Sequence, residues 1–471
     1  MFLTIDIGTS SCKVAIGDGN VYKKKKMNIE TEKNGKKAEQ DPEEWWDSLK
    51  KLIPSLINEF DSDIKIEGIN ISSHSPSLLA VDVKGNVLIP CITWQDRRAY
   101  KQAEKISKIT GENVSSSSFV SKILWIKEKK PEIYKKTKYF LQPKDFIISK
   151  LTNEYIIDLA TASSMYIYSN KKNKWVNRDL DIDLDKVPKI KNNWDIVGTV
   201  KKNISKVLSL KSNIPVIAGG IDAYCETLGA GIINKGQLCD ISGTSSCIAV
   251  CNDVKIKGAV RHIIPDRYLI ILPMSFTGGS LKWFFNNFGL SFSLKKHYYE
   301  ELDNFLKKTT SGINKVLFLP YLIGARSPIW NDKAKGVFFG LTAQHTKYDL
   351  LQSVLEGVAF GIRHNIELIK SRTSINNHVN TTGGASILTP WNQIKSNITG
   401  LNYHEIEPHD GALTGGLILA AYGIKNIDIN KLVNKFVKRS KNIRPQTKKE
   451  YYDEQFERYK AIYKKTKNLM G

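Results

Sequence analysis

Apolar residues run almost unbroken from Phe2 to Ile7, stop at the polar turn Gly8-Thr9-Ser10, and resume from Cys12 to Ile16. About half a chain later the pattern returns, with Leu238 to Ser242, then Gly243-Thr244-Ser245, then Cys247 to Cys251. Each copy reads as a buried strand, a tight turn and a second strand. Glycine lets backbone N–H groups approach an anion, and Thr and Ser add hydroxyl donors, so such a turn can hold phosphate. One Gly-Thr-Ser also makes an ordinary hairpin. Two copies predict a duplicated fold that closes on a nucleotide from both sides.

Around these hairpins helical and strand patterns alternate. Asp41-Pro42-Glu43-Glu44 opens a helix, with an N-cap, a first-turn proline and acids at the positive dipole end. Trp45, Trp46, Leu49, Leu52, Ile53, Leu56 and Ile57 keep the helical period through Phe60. Ile64 to Ser72 and Leu78 to Val83 read as strands, and residues 99–150 as mostly helical. The Lys/Asn-rich stretch 171–193 reads as a polar surface excursion. Pro215 to Gly220 is a buried strand entering a glycine turn, and Asp222 begins a helix through Leu228. Helices are expected again over 279–288, 347–371 and 412–422, and at the charged C-terminus. The alternation predicts α/β architecture.

Composition narrows the class. The 471 residues, 41% hydrophobic and 25% charged, suit a water-soluble globular protein of two or three domains. No apolar run reaches about 18 residues, so no membrane span is expected. The start, a strand containing Asp6, does not read as a secretory signal. The six cysteines form no Cys-x-x-Cys pair, and Cys12, Cys239, Cys247 and Cys251 read as small buried hydrophobes. A reducing cytoplasm is the expected location. The net charge of +23 comes mostly from scattered lysines, with arginine scarce. Scattered lysine reads as solvated surface rather than a nucleic-acid groove.

Several motifs then carry a family resemblance. Gly336-Val337-Phe338-Phe339-Gly340-Leu341 is followed by Asp349-Leu350-Leu351-Gln352-Ser353-Val354-Leu355-Glu356 and preceded by Leu319-Pro320-Tyr321-Leu322-Ile323-Gly324-Ala325-Arg326-Ser327-Pro328. With Glu39-Gln40-Asp41-Pro42, Trp94-Gln95-Asp96-Arg97-Arg98 and Pro143-Lys144-Asp145, the chain resembles the FGGY carbohydrate kinases along nearly its whole length. Phe119, ahead of Lys122-Ile123-Leu124-Trp125, departs from the small hydroxyl or proline usual in the family's earlier signature. The resemblance implies two actin-like, ribonuclease-H-like domains with an interdomain active-site cleft. Residues 1–235 would bind sugar and residues 236–471 would bind ATP. It implies ATP and Mg2+ as cofactors and a small sugar as partner, with no nucleic acid or membrane, and it leaves a homodimer open.

Site residues follow from the same resemblance. Asp222 is the expected base that takes the sugar hydroxyl's proton, the helix dipole keeping its carboxylate ionised. It is also a candidate metal ligand beside Asp6, because a carboxylate near phosphates calls for a cation between them. Gly8, Thr9 and Ser10 would oppose Gly243, Thr244 and Ser245 across the phosphates. Gly383, Gly384 and Ala385 resemble the family's adenine loop, and Gly411-Ala412 and Gly415-Gly416 would allow close packing near it. Ser73, His74, Trp94, Asp96, Arg97 and Phe276 are expected around the sugar. Tryptophan can cover a sugar's apolar face, and charged side chains can bind its hydroxyls. The histidine points to xylulose or a related pentulose. Glycerol, gluconate and an erythritol-like polyol remain alternatives, as does a non-catalytic sugar-responsive protein of the same fold. Ala223 departs from the amide side chain usual after the catalytic aspartate.

Overall fold

A computed structural model describes residues 1–60, 64–288, 302, 304–305, 316–446 and 449–470. The chain forms two compact units. The first comprises residues 1–229 with 260–267 and 412–436; the second comprises 230–259, 268–411 and 437–471. Two segments from the second half of the chain thus complete the first unit.

In the first unit Phe2–Ile7 pairs antiparallel with Ser11–Gly17, which pairs antiparallel with Tyr22–Asn28. On the other side of Phe2–Ile7 lies Gly68–Ser73, parallel, then Pro215–Ile217, parallel, then Ile196–Thr199, antiparallel. The helix Pro42–Ile57 begins where the sequence pattern places it, with Asp41 accepting Glu43 N–H at the N-cap. Its apolar face packs on the hairpin and buries Trp45, Leu49, Leu52, Ile53 and Leu56. Each such side chain contributes roughly 1.5–3 kcal/mol of transfer free energy.

The second unit repeats this sheet strand for strand. Leu238–Ser242, Ser246–Asn252 and Tyr268–Met274 form the antiparallel series. His378–Thr382 and Asn402–Glu407 add in parallel, and Lys438–Ile443 closes the edge antiparallel. Val260–Arg261 adds a strand beside Tyr268–Met274 and Gly220–Ile221 adds one beside Gly68–Ser73, while over these six strands order and sense match the first unit. Only the chain order of the last two strands is reversed. The long helix Lys347–Lys370, opened by a Thr346/Asp349 capping box, covers this sheet's core together with Thr389–Thr399.

Some expectations need correction. The strand read as Ile64–Ser72 starts only at Gly68. The 99–150 stretch is mostly helical as expected, with helices Tyr100–Thr110, Phe119–Lys129, Pro131–Lys136 and Pro143–Thr152 and a short strand Tyr139–Leu141 between the last two. Residues 171–193 are not merely a surface excursion. Leu180, Ile182 and Val187 are buried in a satellite core, and Asn193 is buried and donates to Asp158 and to Gly219 O.

Candidate active site

Asp6 stands near the end of the first strand, buried, and accepts a 2.8 Å hydrogen bond from Ser72 Oγ on the parallel neighbour. Lys13 Nζ lies 3.8 Å from its other oxygen. Asp222 begins the helix Asp222–Gly229 in the same unit, and its carboxylate accepts Ala223 N–H at 2.7 Å. That helix is held by the helix Gly411–Lys425, where a Cβ on Gly415 would lie 1.8 Å from Cys225 O. Only glycine permits this approach. Gly415 and Gly416 therefore pack beside the Asp222 helix and the first strand.

The Asp222 carboxyl is pushed up to about 7, first by burial and then by the negative charge of Asp6, against the pull of Ala223 N–H and Lys13. Its side chain keeps some surface exposure, so the desolvation comes from dense surrounding protein rather than full enclosure. This corrects the expectation that the helix end keeps the group fully ionised. Like-charge crowding outweighs the single N–H that faces it.

The expected sugar residues divide into two sets. Trp94 and Arg97 are partly exposed. Trp94 Nε1 donates to Thr9 Oγ1 at 2.8 Å, and Arg97 donates through Nη1 to Trp94 O and Asp96 O. His74, Asp96 and Ser73 are buried and committed to the protein. His74 contacts Ser77 Oγ through Nδ1 and Gln40 Oε1 through Nε2, while burial and Lys122 push it down to about 3, leaving it neutral. Asp96 accepts Ala38 N–H, Arg98 N–H and the Arg98 guanidinium. Ser73 accepts Lys144 N–H. In this structure the polar groups of all three are engaged by protein partners.

In the second unit the turn Gly243-Thr244-Ser245 is tied to the next loop. Thr244 O accepts the N–H groups of Thr277 and Gly279, and Gly243 O accepts that of Gly278. Thr244 itself is exposed. Phe276, expected at the sugar, belongs to this unit and lays its ring against Gly279. Gly383 has φ +91°, and a Cβ there would sit 2.6 Å from Ser242 O, the residue before the phosphate turn. Ala385 N–H donates to the same Ser242 O at 2.9 Å. The 243–245 turn and the 383–385 loop thus share one anchor at Ser242, while a Cβ on Gly384 would meet nothing within 4 Å. Beneath them Lys395 forms a buried pair with Asp240 at 2.8 Å and donates to Ser242 Oγ at 2.6 Å.

The model of the N-terminal domain of the FGGY family of carbohydrate kinases matches residues 1–229, and that of its C-terminal domain matches residues 240–424. The chain belongs to the FGGY family of carbohydrate kinases. Among relatives of this FGGY kinase, a xylulose kinase of Staphylococcus epidermidis is 30% identical over 99% of this chain and 97% of its own. A gluconokinase of Bacillus subtilis is 29% identical over 90% and 88%. The solved structure of a ligand-bound xylulose kinase from Lactobacillus acidophilus is 25% identical and superposes with a TM-score of 0.88, covering 99% of this chain and 98% of that one. The FGGY kinase thus has the two-domain actin-like fold, and it phosphorylates a sugar at the expense of ATP. No described helix is long and apolar enough to cross a membrane.

Residues that sequence reasoning did not single out supply much of the site's frame. Gln40 and Ser77 bind His74. Lys144, paired with Asp158 at 2.9 Å, also donates to Ala218 O ahead of the Asp222 helix. The buried Lys122, pushed down to about 7 by burial, donates to Pro76 O at 2.7 Å. For Gln40, Lys122 and Lys144 the one signal available was their place inside family motifs, since buried lysines otherwise read as surface, and Ser77 had none.

Proposed function

We propose that this FGGY kinase transfers the γ-phosphoryl group of ATP to a hydroxyl of xylulose or a related pentulose, with Asp222 as the base. The placement of two acidic side chains in one unit carries this reading, Asp6 near the end of the first strand and Asp222 at the start of its helix, with Asp6 raising the Asp222 carboxyl after burial. Asp222 takes the proton of the sugar hydroxyl, whose oxygen attacks the γ-phosphorus. The bond to the β–γ bridging oxygen breaks and ADP departs. Thr244 and Ser245 hold phosphate oxygens in the second unit, and Gly383, Gly384 and Ala385 receive the adenine. Thr9 and Ser10 supply further donors, while Trp94 and Arg97 hold the sugar.

The residues present fit Mg2+. No group of three or more His, Cys, Asp or Glu among the described residues could hold a metal ion alone. Mg2+ is usually bound by one or two carboxylates together with substrate phosphates, and Asp6 with Asp222 supplies two. The ion would neutralise phosphate charge.

Pentulose is favoured by the likeness to xylulose kinases, and the gluconokinase likeness makes a sugar acid the second reading. Asp222→Asn tests the mechanism. Turnover should fall by on the order of 100-fold or more while ATP binding persists, as for loss of a general base. Near-normal turnover in a folded variant would remove Asp222 from the reaction.

A further inference from the structure

Five residues of the first unit close a hydrogen-bonded circuit. Gln40 Nε2 donates to Thr9 O at 2.7 Å, and Gln40 Oε1 meets His74 Nε2 at 3.0 Å. His74 Nδ1 lies 2.7 Å from Ser77 Oγ, which accepts Trp94 N–H at 3.1 Å. Trp94 Nε1 returns to Thr9 Oγ1 at 2.8 Å. One assignment of protons satisfies every link: His74 donates from Nε2 to Gln40, and the Ser77 hydroxyl donates to Nδ1. Gln40 Oε1 also accepts Trp45 Nε1–H, and Gln40 Nε2 also reaches Thr31 Oγ1.

The circuit runs from core to surface. Gln40, His74 and Ser77 are 2%, 0% and 0% exposed, whereas Thr9 and Trp94 are partly open. Its buried arc thus joins a residue of the phosphate turn to a residue of the sugar wall. We infer that Gln40 is a positioning residue for phosphoryl transfer, locking the Gly8-Thr9-Ser10 turn to Trp94 through Thr9 O and His74, which rests on the placement of Thr9 and Trp94 proposed above. Gln40 touches neither sugar nor nucleotide in this role. It fixes where the donors stand, and a misplacement of about 1 Å can lower turnover on the order of 100-fold.

The test is steady-state kinetics of the full chain with D-xylulose and Mg2+-ATP for Gln40→Met, Trp94→Phe and the double variant. Gln40→Met keeps the side chain's length and removes its polar atoms. It should lower kcat about tenfold or more while sugar KM stays within about twofold, the pattern for an interaction realised in the transition state. The double variant should resemble the worse single variant, because either change opens the same circuit. Unchanged kcat, an effect on KM alone, or losses that multiply would overturn the role of Gln40. Ser77→Ala opens the circuit by losing one hydroxyl and should lower kcat in the same direction. If Gln40→Met does not fold, a wild-type kcat in Ser77→Ala overturns the proposal instead. Asp222→Asn measured alongside separates the two readings. Activity in that variant removes the underlying site assignment, whereas its inactivity beside an unimpaired Gln40→Met removes only the positioning role.

Discussion

Asp222 must be deprotonated to accept a proton, yet burial and Asp6 hold its carboxyl up to about 7. Activity of the free enzyme should therefore rise with pH through a midpoint near that value. Asp6→Asn removes the like charge and should move the midpoint down, alongside a changed Mg2+ dependence. A kcat/KM–pH profile for both enzymes checks this, and an identical midpoint would show that Asp6 does not govern the base. The sign for stability is opposite. A carboxyl with an unfolded pKa of about 3.9 and a raised folded pKa favours the native state below the lower value. That contribution is lost as pH rises through about 7, so the ligand-free protein gives up stability just as its base becomes competent. At this scale the places of Asp6 near a strand end and Asp222 at a helix start were legible in the sequence, while their roles rested on the family resemblance. The fate of His74 and Asp96 was not, because whether a polar side chain meets ligand or protein depends on partners remote in sequence. Gln40 and Ser77 meet His74, while Ala38 and the adjacent Arg98 meet Asp96.

Elements with a regular period could be read closely, and those held by tertiary contacts could not. Pro42–Ile57 and Lys347–Lys370 carry their own caps and apolar faces. The buried side chains of 171–193 follow no period, so burial there was invisible in the pattern. The Asp222 helix is short and depends on a neighbour, which gives a stability test. Gly415→Ala would drive a Cβ into the Cys225 carbonyl, a backbone atom that cannot rotate away. Destabilisation of about 1–3 kcal/mol or more is expected from such overpacking, read as a lower Tm with reduced activity. An unchanged Tm would mean that the two helices can separate freely. The proposed phosphate role of the 243–245 turn is tested by Thr244→Val, which removes an exposed hydroxyl while keeping the β-branched shape. ATP affinity should weaken with sugar affinity preserved. Calorimetry showing unchanged nucleotide binding would remove Thr244 from the phosphate site.

Each unit is built on a sheet with the same central order of strands, and the hairpin repeat in the sequence points to this. The Gly-Thr-Ser turns occupy the same position in each copy, between the same pair of antiparallel strands. What the repeat could not announce was the exchange of segments, with 260–267 and 412–436 completing the first unit. Nor does the fold choose a substrate, since xylulose and gluconate kinases are both named among the relatives at nearly equal identity. The most direct measurement is ADP release by the purified protein with Mg2+-ATP against D-xylulose, gluconate, glycerol and erythritol. Sugar-dependent release that is fastest with D-xylulose is the predicted result. Faster release with glycerol or gluconate would contradict the pentulose assignment, and release that no sugar accelerates would contradict phosphoryl transfer to sugar itself.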